Sequence, residues 1–458
     1  MSGARTEPTR PWTVGTAPGI FPPVSHAIAL FRRPLDFLNS LPEQGDLVAL
    51  RLGPRRAWMI CDPQLVHQML REPHVFDKGG TQYDRLGALM GNGIVTCPQS
   101  EHRRQRMILQ PGFHPSRIPA YTTSMGEEAE ALCRAWRPGE RIDVTGAMMA
   151  LTTGVTSRLL FSGSLDAERA AVVRESLAAV VRGLFVRTVV PVDAVFRIPT
   201  PANRRYQDAL RRLHALIDAI MAERRAAPPR DDVLGTLLAA RDGSGDGDGP
   251  CAVTDQEIHD QLVTLLLTGV ETTAMCLASA FGLLAVNPDA ERALYREVDA
   301  TLPGGHTPGH DALERLRYTR CVVTETLRVR PPGWLFTRTT TRATELGGHR
   351  LPRGATILYS PYLLHHDPAS FPEPERFRPE RWLPGGATAV RKGAMLPFAA
   401  GNRACIGDRL AMAEAVVAVA TIAARWRLRP VSGHAGPPRP AATLGPRALT
   451  MICEPRQP

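Results

Sequence analysis

Residues 398–407 read FAAGNRACIG and run directly into DRLAMAEAVVAVATIAARW. A cysteine there stands at the mouth of a helix pattern, where a thiol can be a buried small hydrophobe, a nucleophile, half of a disulfide or a metal ligand. The neighbours of Cys405 sort these roles. Amide N–H groups and the dipole of a helix start favour a thiolate. Gly401 and Gly407 permit unusual backbone torsions that turn nearby amides toward the sulfur. Phe398 supplies a flat apolar cover, and Arg403 a cation two residues away. A nucleophile wants a histidine base; none lies within the loop, and a distant one stays open. A lone thiolate beside an arginine suits an axial iron ligand next to a carboxylate-bearing macrocycle.

Three further stretches carry residues able to do chemistry. In EHRRQRMILQPGFH, His102 and Arg106 are four apart, so a helix points both at one anionic group. In ETLR, Glu325 and Arg328 lie one helical turn apart and can pair. Taken alone, such a pair is a solvated contact worth little. In TGVETT an acid, Glu271, stands next to an alcohol, Thr272, inside a long apolar run. An acid and an alcohol side by side can pass protons into a dry cavity. The Thr272 hydroxyl can also bond the carbonyl of residue 268. A polar patch against neighbouring helices accounts for the threonines but not for a buried carboxylate.

The elements that must position these residues are mainly helices. TDQE at 254–257 is a capping box in which Thr254 caps and Glu257 reaches back. The helix it opens ends at Asn287-Pro288 and is roughly 50 Å long. Residues 262–286 could span a bilayer by length. Glu271 and three threonines near the centre make a buried helix of a soluble protein the better expectation. A second helix, carrying ETLR, is stopped by Pro331-Pro332. Short strands are expected in DLVALRLG, RAWMICD and TELGGHRLPRGATILYS, a surface loop in RDGSGDGDGP (241–250), and a proline-rich meander in DPASFPEPERFRPERW. No linker divides the chain. An extended, proline-punctuated arm is expected at 1–25, without signal peptide or anchor, followed by one domain over 26–458.

Composition narrows the function classes. Net charge is +10, yet all of the 55 basic residues except Lys78 and Lys392 are arginine, a bias that points to a GC-rich genome. With no run of like charges and no aromatic-interleaved basic stripe, nucleic-acid binding is not expected. The eight cysteines form no C-x-x-C pair and no C-x-x-C-H, which argues against zinc ribbons, iron–sulfur clusters, covalent haem attachment and a disulfide framework.

The cysteine loop matches F-x-x-G-x-R-x-C-x-G, the signature of the cytochrome P-450 family, at every fixed position. From about residue 40 to the end the chain resembles that family. The resemblance implies a mainly α fold with small β-sheets and a haem b whose iron is held by the Cys405 thiolate. ETLR resembles the family's E-x-x-R, whose pair locks onto a meander arginine, here Arg381 of RPERW. His102 and Arg106 fall in the segment that clamps the haem propionates; Arg338 of LFTRTTT matches a third clamp position, and Arg403 is the fourth cation. TGVETT resembles [AG]-G-x-[DE]-T-T, which makes Glu271 the proton relay and Thr272 the hydrogen-bond partner of oxygen, with Gly269 leaving room for it. Thr268 stands where alanine or glycine is usual, and so narrows the pocket.

The implied activity is that of a haem-thiolate monooxygenase, cytoplasmic and monomeric. With no flavin- or nicotinamide-binding domain present, electrons from NAD(P)H are expected through a separate ferredoxin and ferredoxin reductase. Arg104, Arg391, Lys392 and Arg409 form a candidate docking patch. The pocket-lining segments LGALMGNGIV, LFVRTVVPV and WLF are apolar, with Thr268, Val270, Trp334, Leu335 and Phe336 shaping the cavity and Arg182 and Arg187 within reach of it. LPEQGDLVALRLGP, FDKGG, EHRRQR and VFRIPTPANRRY resemble actinobacterial members that oxidise terpene hydrocarbons in antibiotic pathways. Hydroxylation of a terpenoid skeleton is the expectation. A macrolide, or a fatty acid anchored by arginine, is the alternative substrate. Peroxygenases and isomerases of the family often lack the acid–alcohol pair, and no signalling module accompanies the domain as a haem sensor would require.

Overall fold

A computed structural model describes residues 11–19, 22–53, 55–163, 165–189, 194–241, 253–386, 390–391, 393–431, 433 and 438–456. Lys392 and nearly all of the 241–250 loop lie outside the described residues. The helices are α1 (Pro22–Arg32), α2 (Pro34–Asn39), α3 (Pro63–Arg71), α4 (Thr81–Met90), α5 (Gln99–Leu109), α6 (Ile118–Ala135), α7 (Val144–Phe161) and α8 (Ala167–Val189). They continue as α9 (Ala194–Arg197), α10 (Pro201–Arg225), α11 (Val233–Arg241), α12 (Asp255–Ala285), α13 (Pro288–Thr301), α14 (Arg317–Val329), α15 (Pro361–His365) and α16 (Asp408–Arg425).

The main sheet joins β1 (Val14–Thr16), β2 (Leu47–Leu52), β3 (Arg55–Ile60), β4 (Phe76–Asp77), β6 (Phe336–Thr340) and β9 (Thr356–Tyr359), in the order β1-β2-β3-β9-β6-β4. Smaller sheets pair β10 (Trp426–Pro430) with β13 (Thr450–Pro455) and β5 (Arg141–Asp143), β7 (Thr344–Leu346) with β8 (His349–Leu351), and β11 (Arg439–Pro440) with β12 (Leu444–Gly445). The mainly α architecture with small sheets follows the expectation. The arm does not: Val14–Thr16 pairs in parallel with Leu47–Ala49, and α1 opens at Pro22, so part of 1–25 belongs to the domain. A backbone with an unpaired sheet edge within reach gains hydrogen bonds by joining it.

Helix α12 is capped as read from TDQE. Thr254 Oγ1 accepts from the Glu257 amide at 3.2 Å, and Glu257 Oε2 accepts from the Thr254 amide at 2.9 Å. Its 31 residues span about 46 Å. Among the described residues it is the one helix long and apolar enough to cross a membrane, and it is mostly buried. Two apolar cores meet along it. Ile258–Val270 packs with α8, α10 and α11, whereas Ala274–Leu284 packs with α6, α14 and α16. The polar residues 271–273 fall at the seam between the cores.

Candidate active site

A cavity of about 330 Å³ opens beside that seam, bordered by α5, α7, α12, α14, β6 and the cysteine loop. Cys405, Phe398 and Gly407 form part of its lining. The Cys405 amide donates to the Phe398 carbonyl at 2.9 Å and so closes the loop. Gly401 has φ +71°, and a Cβ there would stand 2.4 Å from the Leu70 carbonyl oxygen, so glycine is required. Gly407 departs from its expectation: φ is −98°, open to any residue, and a Cβ would meet the Phe113 ring at an ordinary 3.7 Å. The loop's second left-handed residue is instead Ala399, at φ +58°. For a residue with a Cβ that conformation costs roughly 1–2 kcal/mol.

The Cys405 sulfur faces the cavity while lying deep beneath the outer surface. Burial pushes its thiol pKa up, and the Gly407 amide opposes that shift. The helix start alone therefore does not make the thiolate; a metal cation at the sulfur would.

The side chains around the sulfur fit a haem. Arg338 is buried and donates to Tyr83 Oη at 3.1 Å and to the Thr337 carbonyl at 2.8 Å. Arg106 donates to the Ala404 carbonyl at 2.7 Å, and Lys78 Nζ to the Val95 carbonyl at 2.6 Å. All three line the cavity and have neutral oxygens as hydrogen-bond partners, whereas Arg403 pairs with Asp77 at 2.7 Å. Cations gathered around one cavity with so little anionic charge call for an anion, which a macrocycle bearing carboxylates supplies.

Two members of this set differ from the sequence expectation. Burial, then Arg403, Lys78 and Arg106, press the His102 pKa down to about 3, so His102 is a neutral hydrogen-bonding group. The missed basic group is Lys78, one of only two lysines in the chain, whose pKa burial and then Arg403 and Arg338 press well below the usual lysine range. The pairing Asp77↔Thr339 between β4 and β6 brings it beside Arg338.

Along α12 the cavity is lined by Leu265, Thr268, Gly269, Thr272, Thr273 and Cys276, the stripe that one helical face presents. Thr268 Oγ1 donates to the Thr264 carbonyl and Thr272 Oγ1 to the Thr268 carbonyl, each at 2.7 Å. A Cβ on Gly269 would press on Thr156 of α7 at 3.2 Å, so the room left by this glycine also lets the two helices approach. Val270 turns to the opposite face and is fully buried in a core, not in the cavity. Glu271 lies beyond the edge of the stripe. Its Oε1 accepts from Thr443 Oγ1 at 2.6 Å, and burial raises its pKa to about 7 against that hydrogen bond.

Of the WLF segment, Phe336 lines the cavity and Trp334 and Leu335 do not. Trp334 is buried against Phe185 and donates Nε1 to the Ala441 carbonyl at 3.0 Å; the Leu335 side chain packs into the same core. Arg187 also stays out: it is buried over Tyr206 and donates to Asn203 Oδ1 at 2.8 Å, while Arg182 is exposed and bonds the Ala178 carbonyl. Sequence reasoning missed Glu414. It lines the cavity, Oε1 has no hydrogen-bond partner among the described residues, and burial raises its pKa to about 8. Its signal was a carboxylate within the apolar middle, residues 410–424, of the helix that follows Cys405.

Beneath the cavity, Arg328 donates to Glu325 at 2.8 and 2.9 Å, with both side chains fully buried. The meander closes this pair with three groups. Arg381 Nε pairs with Glu325 at 3.5 Å, as the resemblance implies, and the Arg378 amide at 3.0 Å and Trp382 Nε1 at 2.8 Å add hydrogen bonds to the same carboxylate. Two residues of the candidate docking patch already have partners: Arg104 pairs with Glu257, and Arg391 with Asp62 at 3.1 Å. Arg409 is exposed.

A cysteine facing a cavity whose cations await carboxylates, in a mainly α fold with an acid–alcohol pair on its longest helix, defines a haem-thiolate protein. The Cytochrome P-450 family model matches residues 22–453, and the chain belongs to that family of monooxygenases. Cyclooctatin synthase of Streptomyces melanosporofaciens is 47% identical over 458 residues, covering 100% of this chain and 99% of the relative. Cyclooctat-9-en-7-ol 5-monooxygenase of the same organism is 47% identical over 453 residues, 98% and 97% of the two chains. Pentalenene oxygenase of Streptomyces avermitilis is 40% identical over 447 residues, 97% and 96% of the two.

Proposed function

We propose that this P-450 hydroxylates a neutral terpenoid skeleton in secondary metabolism. The observation that carries the proposal is the wall along α7 and α12: Val155, Leu159, Leu160 and Leu265 present hydrocarbon, and neither Arg182 nor Arg187 reaches it. A wall of this kind selects by shape and apolar area, and it offers no anchor for a fatty-acid carboxylate. The names of the three relatives, two in cyclooctatin formation and one acting on pentalenene, agree with it.

When bound, the haem supplies oxygen activation. Cys405 would hold its iron through the thiolate; Lys78, Arg106, Arg338 and Arg403 would hold its carboxylates, with neutral His102 as a further donor. Thr272, whose hydroxyl hydrogen goes to the Thr268 carbonyl, keeps lone pairs free to accept a proton-bearing partner in the cavity. Glu271, with its pKa near 7, is poised to give and regain a proton at physiological pH. The apolar wall excludes water from the site. Electrons come from NAD(P)H through a ferredoxin and its reductase, with Arg409 on the docking side, and the protein acts as a cytoplasmic monomer.

The test is optical titration of the ferric enzyme with pentalenene, cyclooctat-9-en-7-ol, fatty acids and macrolides, followed by turnover with a surrogate ferredoxin. A low-spin to high-spin shift and a hydroxylated product with the terpenoids are expected. Tighter binding and faster turnover of a fatty acid or macrolide would overturn the proposal.

A further inference from the structure

Glu271 does not face the cavity that its motif serves, and the cause lies in the C-terminal hairpin. Strands β11 and β12 pair Arg439 with Gly445 and Pro440 with Leu444, which leaves Thr443 on the turn. Three contacts fix that turn. The Leu444 amide donates to the Pro332 carbonyl at 2.9 Å, Trp334 Nε1 donates to the Ala441 carbonyl at 3.0 Å, and Gly445 sits so close to α12 that a Cβ would stand 2.9 Å from Met275 Sδ. Met275 is one helical turn beyond Glu271, so the hairpin is locked onto α12 next to the acid. From this fixed position the Thr443 hydroxyl donates to Glu271 Oε1 at 2.6 Å.

We infer that Thr443 is the positioning residue of the proton-supplying acid: its hydroxyl holds the Glu271 carboxylate outside the cavity, and breaking that bond frees the acid to deliver. The inference rests on the assignment of Glu271 as proton donor. A hydroxyl is suited to such a hold because it stabilises the ionised carboxylate without a full counter-charge, so the bond breaks more readily than a buried ion pair. Among the described residues no charged side chain contributes to the acidity of Glu271: burial raises it and Thr443 lowers it. The hairpin's charged residue, Arg439, is exposed. The same hairpin holds Trp334 and Pro332, whose neighbours Gly333 and Phe336 line the cavity, so one small element touches both the acid and the rim of the site.

The experiment uses the haem-loaded protein with Thr443→Val, which keeps the side-chain shape and removes the donor, and Thr443→Ala as a second variant. Infrared difference spectra across pH follow the carboxyl C=O stretch of Glu271, identified by its loss in Glu271→Gln. The midpoint is expected to rise by about one pH unit, a tenfold gain in proton affinity, in both variants. Thr443→Ser should return it to the wild-type value, and the alkaline limb of the product-forming rate should move up in parallel. A midpoint unmoved in both variants overturns the inference. A midpoint that moves while the pH–rate profile stays in place overturns instead the assignment of Glu271 as donor.

Discussion

On the cysteine side of the cavity charge is buried and tied by directional hydrogen bonds, whereas the α7–α12 wall carries almost none. Arg328 shows the first pattern. It spends its donors on both oxygens of Glu325 and on the carbonyls of His365, Pro374 and Arg376, and it lies under the Phe371 ring. Each partner has a direction, so the loop that presents Cys405 has one geometry. Val155, Leu159, Leu160 and Leu265 show the second, since dispersion and apolar burial have no direction and tolerate exchange of shape. The difference separates two tasks. Directional contacts hold the cofactor chemistry constant, while the hydrocarbon wall can be reshaped for another skeleton without disturbing it.

The comparison can be broken most severely at its centre. Cys405→Ala should abolish the red-shifted Soret band of the reduced carbon monoxide complex and all turnover, while single conservative replacements of the other cysteines preserve both. A normal spectrum in Cys405→Ala would remove the basis of the comparison. Glu325→Gln comes next, because it leaves the Arg328 charge buried without its partner. A loss of about 3–5 kcal/mol is expected, read by denaturant unfolding together with haem retention.

Glu414 is the exception on the cysteine side, a carboxyl whose Oε1 has no hydrogen-bond partner among the described residues, and it sharpens the contrast through pH. Its pKa is raised from 4.5 to about 8 in the folded protein. The folded state therefore binds the extra proton, and this contribution is complete below pH 4.5 and lost as pH rises through 8. Glu414→Gln should remove that slope, so the variant gains on the wild type by on the order of a few kcal/mol between pH 5 and 9 in thermal unfolding followed at both pH values. Equal slopes in the two proteins would show that Glu414 is solvated or paired.

On the apolar wall, Leu159→Phe should leave the carbon monoxide spectrum unchanged and alter substrate affinity or the position oxidised by about tenfold, equivalent to roughly 1–3 kcal/mol. Product analysis beside the wild type reads it; loss of haem would contradict the separation of tasks. The smallest effect is expected at Ala399, whose left-handed backbone costs less for glycine. Ala399→Gly should stabilise the protein by up to about 1 kcal/mol with turnover unchanged.

Much of the site was legible because its signals are local. The capping box at Thr254, the helix stop at Pro331-Pro332, the glycine at 401 and the shared helical face of His102 and Arg106 depend on residues a few positions apart, and the structure has each of them in place. What failed depended on facing and field. Trp334 lies two residues from a cavity-lining phenylalanine but turns into a core built by α2, α15 and strands β2, β3 and β9. His102 has the right place and the wrong charge, because burial and the field of Arg403, Lys78 and Arg106, the first two distant in sequence, press its proton off.

The sequence by itself determined the family, the cavity-lining cysteine, the long capped helix and most of the cation set, because spacing along a chain of known helical period decides which residues share a face. Only the tertiary structure decided that Lys78 joins the basic groups at the cavity and that His102 is neutral, that Trp382 joins Arg381 at Glu325, and that Glu271 is held by a hydroxyl from the C-terminal hairpin. Protonation and hydrogen-bond partnership depend on burial and on groups brought within a few ångströms from far along the chain. Thr443 is 172 residues from the acid it touches, a separation at which no local pattern signals contact.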